Sequence, residues 1–289
     1  MPSRRWTPDP PIDMAACVAR YLRWGADPVN TVTDGVYYRV ISVGGRPLPY
    51  SARQFATGDI EVTVDAGKAV EPALVDFKHR MAHALPAAPL RRLAERDPII
   101  GAALAARPGY RPPMTGDLFE SLVTAVTAQQ VNLRWATTTR SRLVAKYGKR
   151  RRFSGRMLWQ FPTPRALADA APRDIRALQF TNAKAAYTIE IAEAAVAGHL
   201  SNIGALGNEA AVATLTKIKG VGRWTAEWAL ARCLARPDVV AAGDLGVRKA
   251  IGGAYLGRIA DEDEVRQISA PWGDAANWAT HLLLEGLSG

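Results

Sequence analysis

Apolar residues recur along this chain with two different periods, and the change of period divides it. Asp13 stands where a helix cap belongs, ahead of a segment over residues 14–24 whose Cys17, Val18, Tyr21 and Leu22 share a face. Val36 to Ile41 is dense in strand formers, and Asp59-Ile-Glu-Val-Thr-Val-Asp65 alternates apolar and polar positions strictly enough to predict a half-buried strand. A short strand fits near 48–53, and a helix over 73–84 closes this α/β segment.

Further on the pattern becomes helical. Leu90 to Pro113 is rich in arginine and proline, and Ala106-Arg-Pro-Gly-Tyr-Arg-Pro-Pro113 leaves no room for a helix. The expected division is an α+β domain with an antiparallel sheet over 1–89, a linker over 90–113 and a helical domain over 114–289. After Asp117, the spacing of Leu118, Leu122, Val123 and Val126 predicts a helix that runs into Thr127-Ala-Gln-Gln-Val-Asn132. Trp135, Thr139, Leu143 and Tyr147 mark the core face of another over 134–147. The basic run Lys146-Tyr-Gly-Lys-Arg-Arg-Arg152 suits either phosphate contact or a solvated loop. Prolines after Thr163 and Ala171 open two more helices, and a further one over 184–196 ends before Gly198.

The stretch from Lys217 to Trp228 is the most informative chemically. Thr214, Leu215 and Ile218 end one amphipathic pattern, Gly220-Val221-Gly222 makes a tight turn that glycine tolerates best, and helical period resumes from Trp224 to Leu234. This predicts a helix-hairpin-helix over 209–235. In such a turn the backbone N–H groups of Val221, Gly222 and Arg223 lie at the positive end of the second helix and form a phosphate seat, with Lys217, Lys219 and Arg223 around it. An extended apolar piece then leads to Gly243-Asp244, an acid placed as a helix cap; capping alone would account for it. Trp224 and Trp228 lie one turn apart, a spacing that serves packing or a stacking wall equally.

The net charge of +10 and a pI near 9.9 suit a polyanionic partner. Cys17 and Cys233 form no C-x-x-C pair, so they are expected as core thiols in a reducing compartment. No metal site is expected, and His79, His83 and His199 show no ligand spacing. The first residues lack the apolar region of a signal peptide, and no apolar run reaches the ~18 residues of a membrane span. A cytoplasmic protein without membrane contact is expected.

Lys219-Gly-Val-Gly-Arg-Trp-Thr-Ala226 with Gly243-Asp244 resembles the helix-hairpin-helix DNA glycosylase superfamily, most nearly its bacterial 3-methyladenine, broad-specificity alkylation-repair branch. The resemblance also rests on Trp6-Thr-Pro8, on Asp34 with Tyr37-Tyr38-Arg39, on Ala106-Arg-Pro-Gly-Tyr-Arg111 and on Pro162-Thr-Pro164, so it spans nearly the whole chain. It implies a mostly α fold, with a small antiparallel-sheet domain before a two-lobed helical glycosylase domain. It implies Asp244 as the catalytic acid, supporting positive charge on the sugar or orienting water. Trp224 occupies the place where strand-cutting members carry a lysine nucleophile, which implies a monofunctional enzyme that leaves an abasic site.

The resemblance further implies double-stranded DNA with damaged bases as partner and a base pocket drawn from Trp224, Trp228 and Tyr21. It puts Gln130 at the wedge that enters the duplex, although a solvated helix end would explain that residue too. Leu245 and His281 occupy pocket positions where aromatic residues stand in relatives, and Gln179 replaces a common glycine. No organic cofactor is implied; a structural monovalent cation on hairpin carbonyls is. A monomer is expected. The alternatives are a glycosylase for hypoxanthine, ethenoadenine or an oxidised purine, a non-catalytic hairpin module that binds DNA, and a helical interaction protein.

Overall fold

The computed structural model describes residues 1–287. Its N-terminal part is a sheet backed by short helices. Strands β1 (Ser3–Trp6), β2 (Thr31–Thr33), β3 (Val36–Val43), β4 (Arg46–Gln54) and β5 (Ile60–Val64) pair antiparallel, with β2 on β3 and the others in the order β1-β5-β4-β3. The strict alternation in β5 has the expected outcome: Ile60, Val62 and Val64 are fully buried. Each such side chain contributes about 1.5–3 kcal/mol. The helix expected over 14–24 is two pieces, α1 (Met14–Val18) and α2 (Arg20–Arg23), and Asp13 caps the first by accepting the Ala16 N–H at 3.1 Å. Helix α3 (Glu71–Arg80) stops before residue 84, because the chain turns left-handed at Ala82 (φ 49°). Its Phe77 packs among the rings of Trp6, Tyr37 and Tyr50.

The linker over 90–113 is corrected by the structure. Two helices, α4 (Ala87–Arg96) and α5 (Pro98–Ala105), occupy most of it, and only 106–113 is non-helical, a turn over 106–109 followed by an irregular stretch. Leu90, Leu93 and Ile100 are buried at helical spacing, and Asp97 caps α5 by accepting the N–H groups of Ile99 and Ile100. Pro98 opens α5, where no backbone donor is lost, while Pro108, Pro112 and Pro113 lie in the non-helical remainder as expected.

The first helical lobe comprises α6 (Leu118–Ala128), α7 (Leu133–Tyr147), α8 (Pro164–Ala168), α9 (Pro172–Arg176), α10 (Asn182–Val196), α11 (Asn208–Leu215) and α12 (Arg223–Arg232). Leu122, Val126, Ile191, Leu215 and Leu230 sit in its core. The basic run forms a strand where a loop was one expectation. Strands β6 (Lys149–Phe153) and β7 (Arg156–Gln160) make a hairpin through Ser154-Gly155, both at positive φ, and β7 joins β3 in parallel at Val40 and Gln160. The lobe thereby extends the N-terminal sheet, leaving β6 at its edge. Gln179 is left-handed (φ 72°), a conformation that a glycine takes without strain.

The second lobe is α13 (Leu245–Leu256), α14 (Glu262–Ser269) and α15 (Ala276–Gly286), which return to α4 and α5. One apolar cluster joins Leu90, Leu93 and Ile100 to Ile251, Trp272, Trp278 and Leu282, and Tyr255 donates to Asp97 at 2.5 Å.

Buried charges tie sheet to lobe. Arg39 on β3 reaches Glu120 of α6 at 2.5 Å, and Arg80, fully buried, pairs with Asp76 at 2.8 Å. Asp76 also accepts from Tyr50 at 2.7 Å. Asn30 accepts from Tyr37 and Arg39, and donates to Asp27, which receives Arg140 of α7 at 2.7 Å. Cys17 and Cys233 are buried free thiols, pushed up to about 12 by burial. No helix among the described residues is long and apolar enough to cross a membrane.

Candidate active site

A cavity of about 1060 Å³ opens between the lobes, bounded by α2, the α6–α7 turn, α12, the start of α13 and the end of α15. Asp244 lines it as the N-cap of α13, its Oδ1 accepting the Val247 N–H at 3.0 Å. Its Oδ2 takes no hydrogen bond among the described residues. Two glycines frame the carboxylate: a methyl at Gly246 would stand 2.9 Å from Oδ1, and one at Gly243 would stand 3.3 Å from Trp224 Cβ. The acid and that indole are therefore neighbours.

Helix α12 presents Trp224, Trp228 and Arg232 to the cavity at four-residue intervals, so an aromatic wall runs inward from the acid to a guanidinium. The Arg232 guanidinium stands 5.7 Å from the Trp228 ring and donates to the Pro113 carbonyl; burial, then the charge of Arg20, lowers its pKa to about 10. Tyr21 and Arg20 from α2 form the opposite wall, with the Tyr21 hydroxyl donating to the Met114 carbonyl at 3.0 Å. Leu245, half exposed, and Gln130 lie on the rim. Gln130 is exposed and left-handed (φ 53°), a conformation costly for a non-glycine residue and held at the turn between α6 and α7.

His281 does not line the cavity. It is buried behind Trp228, edge-on at 5.5 Å, with Nδ1 2.8 Å from the Asn277 carbonyl. Burial holds its imidazole well below the ordinary value, hence neutral, and its contact orients the indole. Asp238 is exposed, accepts from Asn208 at 2.8 Å and lies outside the cavity.

The hairpin sits beside this cavity. Gln129 joins them, donating to the Gly220 carbonyl at 3.0 Å and to Thr225 at 3.3 Å. Lys217 and Lys219 are exposed, but Val221 is buried and its N–H closes the turn by donating to the Ile218 carbonyl at 3.0 Å, so the phosphate seat expected of three amides is reduced to those of Gly222 and Arg223. Arg223 departs from expectation: its guanidinium is held by Glu209 at 2.7 Å and Glu227 at 2.9 Å, so it braces the hairpin. The two glycines also differ. Gly220 has φ 90°, and a methyl there would fall 2.1 Å from the Tyr187 ring, whereas Gly222 is extended and faces open space. Gly220→Ala is expected to cost about 2–4 kcal/mol, from strain plus overpacking. Gly222→Ala is expected to leave the thermal midpoint within about 1 °C while weakening duplex binding, because its methyl crowds only an incoming phosphate. Thermal melts beside binding isotherms check both.

Arg20 and Arg232 were not anticipated as cavity residues. Extending the Trp224 and Trp228 spacing by one more turn finds Arg232; Arg20 sits on a helix too short for its face to be read.

A hairpin that opens a helix N-terminus to solvent at Gly222, beside a cavity lined by a carboxylate and two indoles, defines a protein that grips a nucleic-acid backbone and works on a group drawn out of it. The chain belongs to the HhH-GPD superfamily of base excision DNA repair proteins, matching over residues 123–273. It is 30% identical over 280 residues to DNA-3-methyladenine glycosylase 2 of Escherichia coli (strain K12), covering 95% of this chain and 93% of that one. It is 32% identical over 200 residues to the DNA-3-methyladenine glycosylase of Bacillus subtilis (strain 168), covering 68% of this chain and 65% of that protein. The solved 3-methyladenine DNA glycosylase from Archaeoglobus fulgidus shares the fold, with a TM-score of 0.86 over 97% of both chains at 24% identity.

Proposed function

We propose that this protein is a monofunctional DNA glycosylase that draws an alkylated purine, of the 3-methyladenine or 7-methylguanine type, out of a duplex and hydrolyses its N-glycosidic bond. The observation that carries the reading is the unpartnered oxygen of Asp244 in a cavity walled by Trp224 and Trp228. As the bond to the base lengthens, its electron pair leaves with the base and positive charge gathers on the sugar. A fixed carboxylate beside that carbon stabilises the charge and takes a proton from the water that completes the hydrolysis. The indoles stack the extruded base, Gln130 fills the space it vacates, and the Gly222 and Arg223 amides at the start of α12 hold the backbone. Tryptophan at position 224 cannot form a Schiff base, so the strand stays intact.

The reading extends to a monomer acting in the cytoplasm. Among the described residues no His, Cys, Asp or Glu cluster could hold a metal ion, and the Gly220 carbonyl is already engaged by Gln129. A monovalent cation at the hairpin would therefore rest on its remaining carbonyls, and no step of the chemistry uses it.

One observation favours a second base class. The Arg20 and Arg232 guanidiniums on the cavity wall suit a neutral base with carbonyl acceptors, such as hypoxanthine, better than a cationic one. Duplexes carrying methylated purines and hypoxanthine, incubated with the protein and scored for free base and for breaks before and after alkali, decide both points. Release with breaks only after alkali supports the proposal. Binding without release from any lesion would leave a non-catalytic DNA-binding module.

A further inference from the structure

The cations of this protein are unevenly compensated. Arg4, Arg165, Arg223, Arg258 and Arg266 on the surface each pair with a carboxylate. Other exposed cations, such as Lys68, Arg91 and Arg176, also lack a carboxylate partner among the described residues, but Arg134, Arg142, Lys146, Lys149, Arg150 and Arg152 gather such cations on α7 and the strand that follows it. Arg134, Arg142 and Lys146 fall at multiples of four along α7 and share one side of it with Thr138. A groove of about 580 Å³ runs beside them, lined by Arg134, Thr138, Ser141 and Arg142 on α7 and by Trp24 to Ala26 across it, with no carboxylate in its lining. Two guanidiniums are held in place by rings: Arg142 lies 5.5 Å from Trp135 and Arg150 lies 5.4 Å from Trp159.

Position gives this stripe a direction. Helix α7 starts directly after Gln130 on the cavity rim and spans 15 residues, so its far end lies ~22 Å from the rim. Lys149, Arg150 and Arg152 continue from that end, exposed on edge strand β6. Charges on an edge strand also serve to prevent pairing with another chain, but that purpose explains neither the groove nor the cations on α7.

We propose that α7 and β6 form a second phosphate track, which holds the backbone of the duplex flanking the extruded nucleotide and reaches about six base pairs beyond it, at ~3.4 Å per step. The proposal rests on the DNA-binding part of the reading above and is independent of which base is released. The track lengthens the footprint and adds affinity without touching the cavity.

The test compares wild type with the fourfold variant Lys146→Gln, Lys149→Gln, Arg150→Gln and Arg152→Gln, in a salt series, on two duplexes carrying a central abasic-site analogue: one of about 8 base pairs, closed by a short loop and ending before the far part of the track, and one of about 30. Wild type is expected to bind the longer duplex at least about tenfold tighter at low salt, with a log–log salt slope steeper by about 2–3. The variant is expected to lose that difference while matching wild type on the shorter duplex. An unchanged slope and affinity on the longer duplex would overturn the track and leave these charges to guard an edge strand. Because the probes need no chemistry, a protein that released no base would still answer; failure to bind either duplex would overturn the track together with the DNA reading.

Discussion

Asp244→Asn is expected to lower the rate of base release by at least about a thousandfold while leaving duplex affinity within about threefold of wild type. The substitution is informative because it separates the two tasks this residue has. Asparagine caps a helix as well as aspartate does, and its carbonyl oxygen can still accept the Val247 N–H, so α13 and the loop before it keep their geometry. What disappears is the negative charge beside the sugar. Asp238→Asn supplies the control: that carboxylate is exposed and bound to Asn208 outside the cavity, so its loss should leave release unchanged. Single-turnover release with saturating protein, beside melting and binding curves, reads all three quantities. Release that survives in the Asp244 variant would mean that another carboxylate does the work.

Arg80→Met is expected to lower stability at pH 7 by about 3–5 kcal/mol, because removing one partner of a buried pair leaves the other short of compensation. For a chain of this size that corresponds to a melting midpoint lower by on the order of 10 °C. Arg80 is fully buried, and Asp76 has Arg39 only at 3.9 Å as a further cation. Burial raises the Asp76 carboxyl, but the two arginines and the hydrogen bonds from Arg80 and Tyr50 more than reverse this and hold it below the ordinary value. Its ionised form thus stabilises the fold fully above the unfolded pKa of about 3.9, and that stability is lost as pH falls through the lower folded value. The gap between wild type and variant should therefore shrink below about pH 4, which melts at pH 7 and near pH 3 would show. A gap that stays constant would place the effect in packing alone.

What the sequence disclosed depended on whether a residue's environment is local. The β5 alternation, the α6 and α12 patterns and the Asp13 cap depend on neighbours a few positions away, and they fold as read. The spacing from the hairpin to Asp244 put the acid and both indoles on one cavity, but it could not show that His281 turns away behind Trp228. Nor could it show that Glu209 engages Arg223, since that contact arises only when α11 and α12 close on each other, whereas the Arg223–Glu227 pair is an i,i+4 contact within α12 that the spacing did offer. Helices α4 and α5 were hidden by counting prolines and arginines instead of the spacing of Leu90, Leu93 and Ile100, whose partners lie near the other end of the chain. Strand β6 was hidden by charge, and Ser154-Gly155 was the turn signal that could have exposed it.

The lobe that supports the acid is assembled from two distant pieces, residues 82–114 and 235–284. During synthesis the sheet and the first lobe can form from what has already emerged, while α4 and α5 wait with an apolar face uncovered. Their partners arrive only with α13 to α15, so closure of this lobe is a long-range event and the slow step expected in folding. The nascent chain would thus acquire its grip on nucleic acid before its ability to cut a glycosidic bond, and a shortened chain lacking α13 to α15 would hold DNA without repairing it.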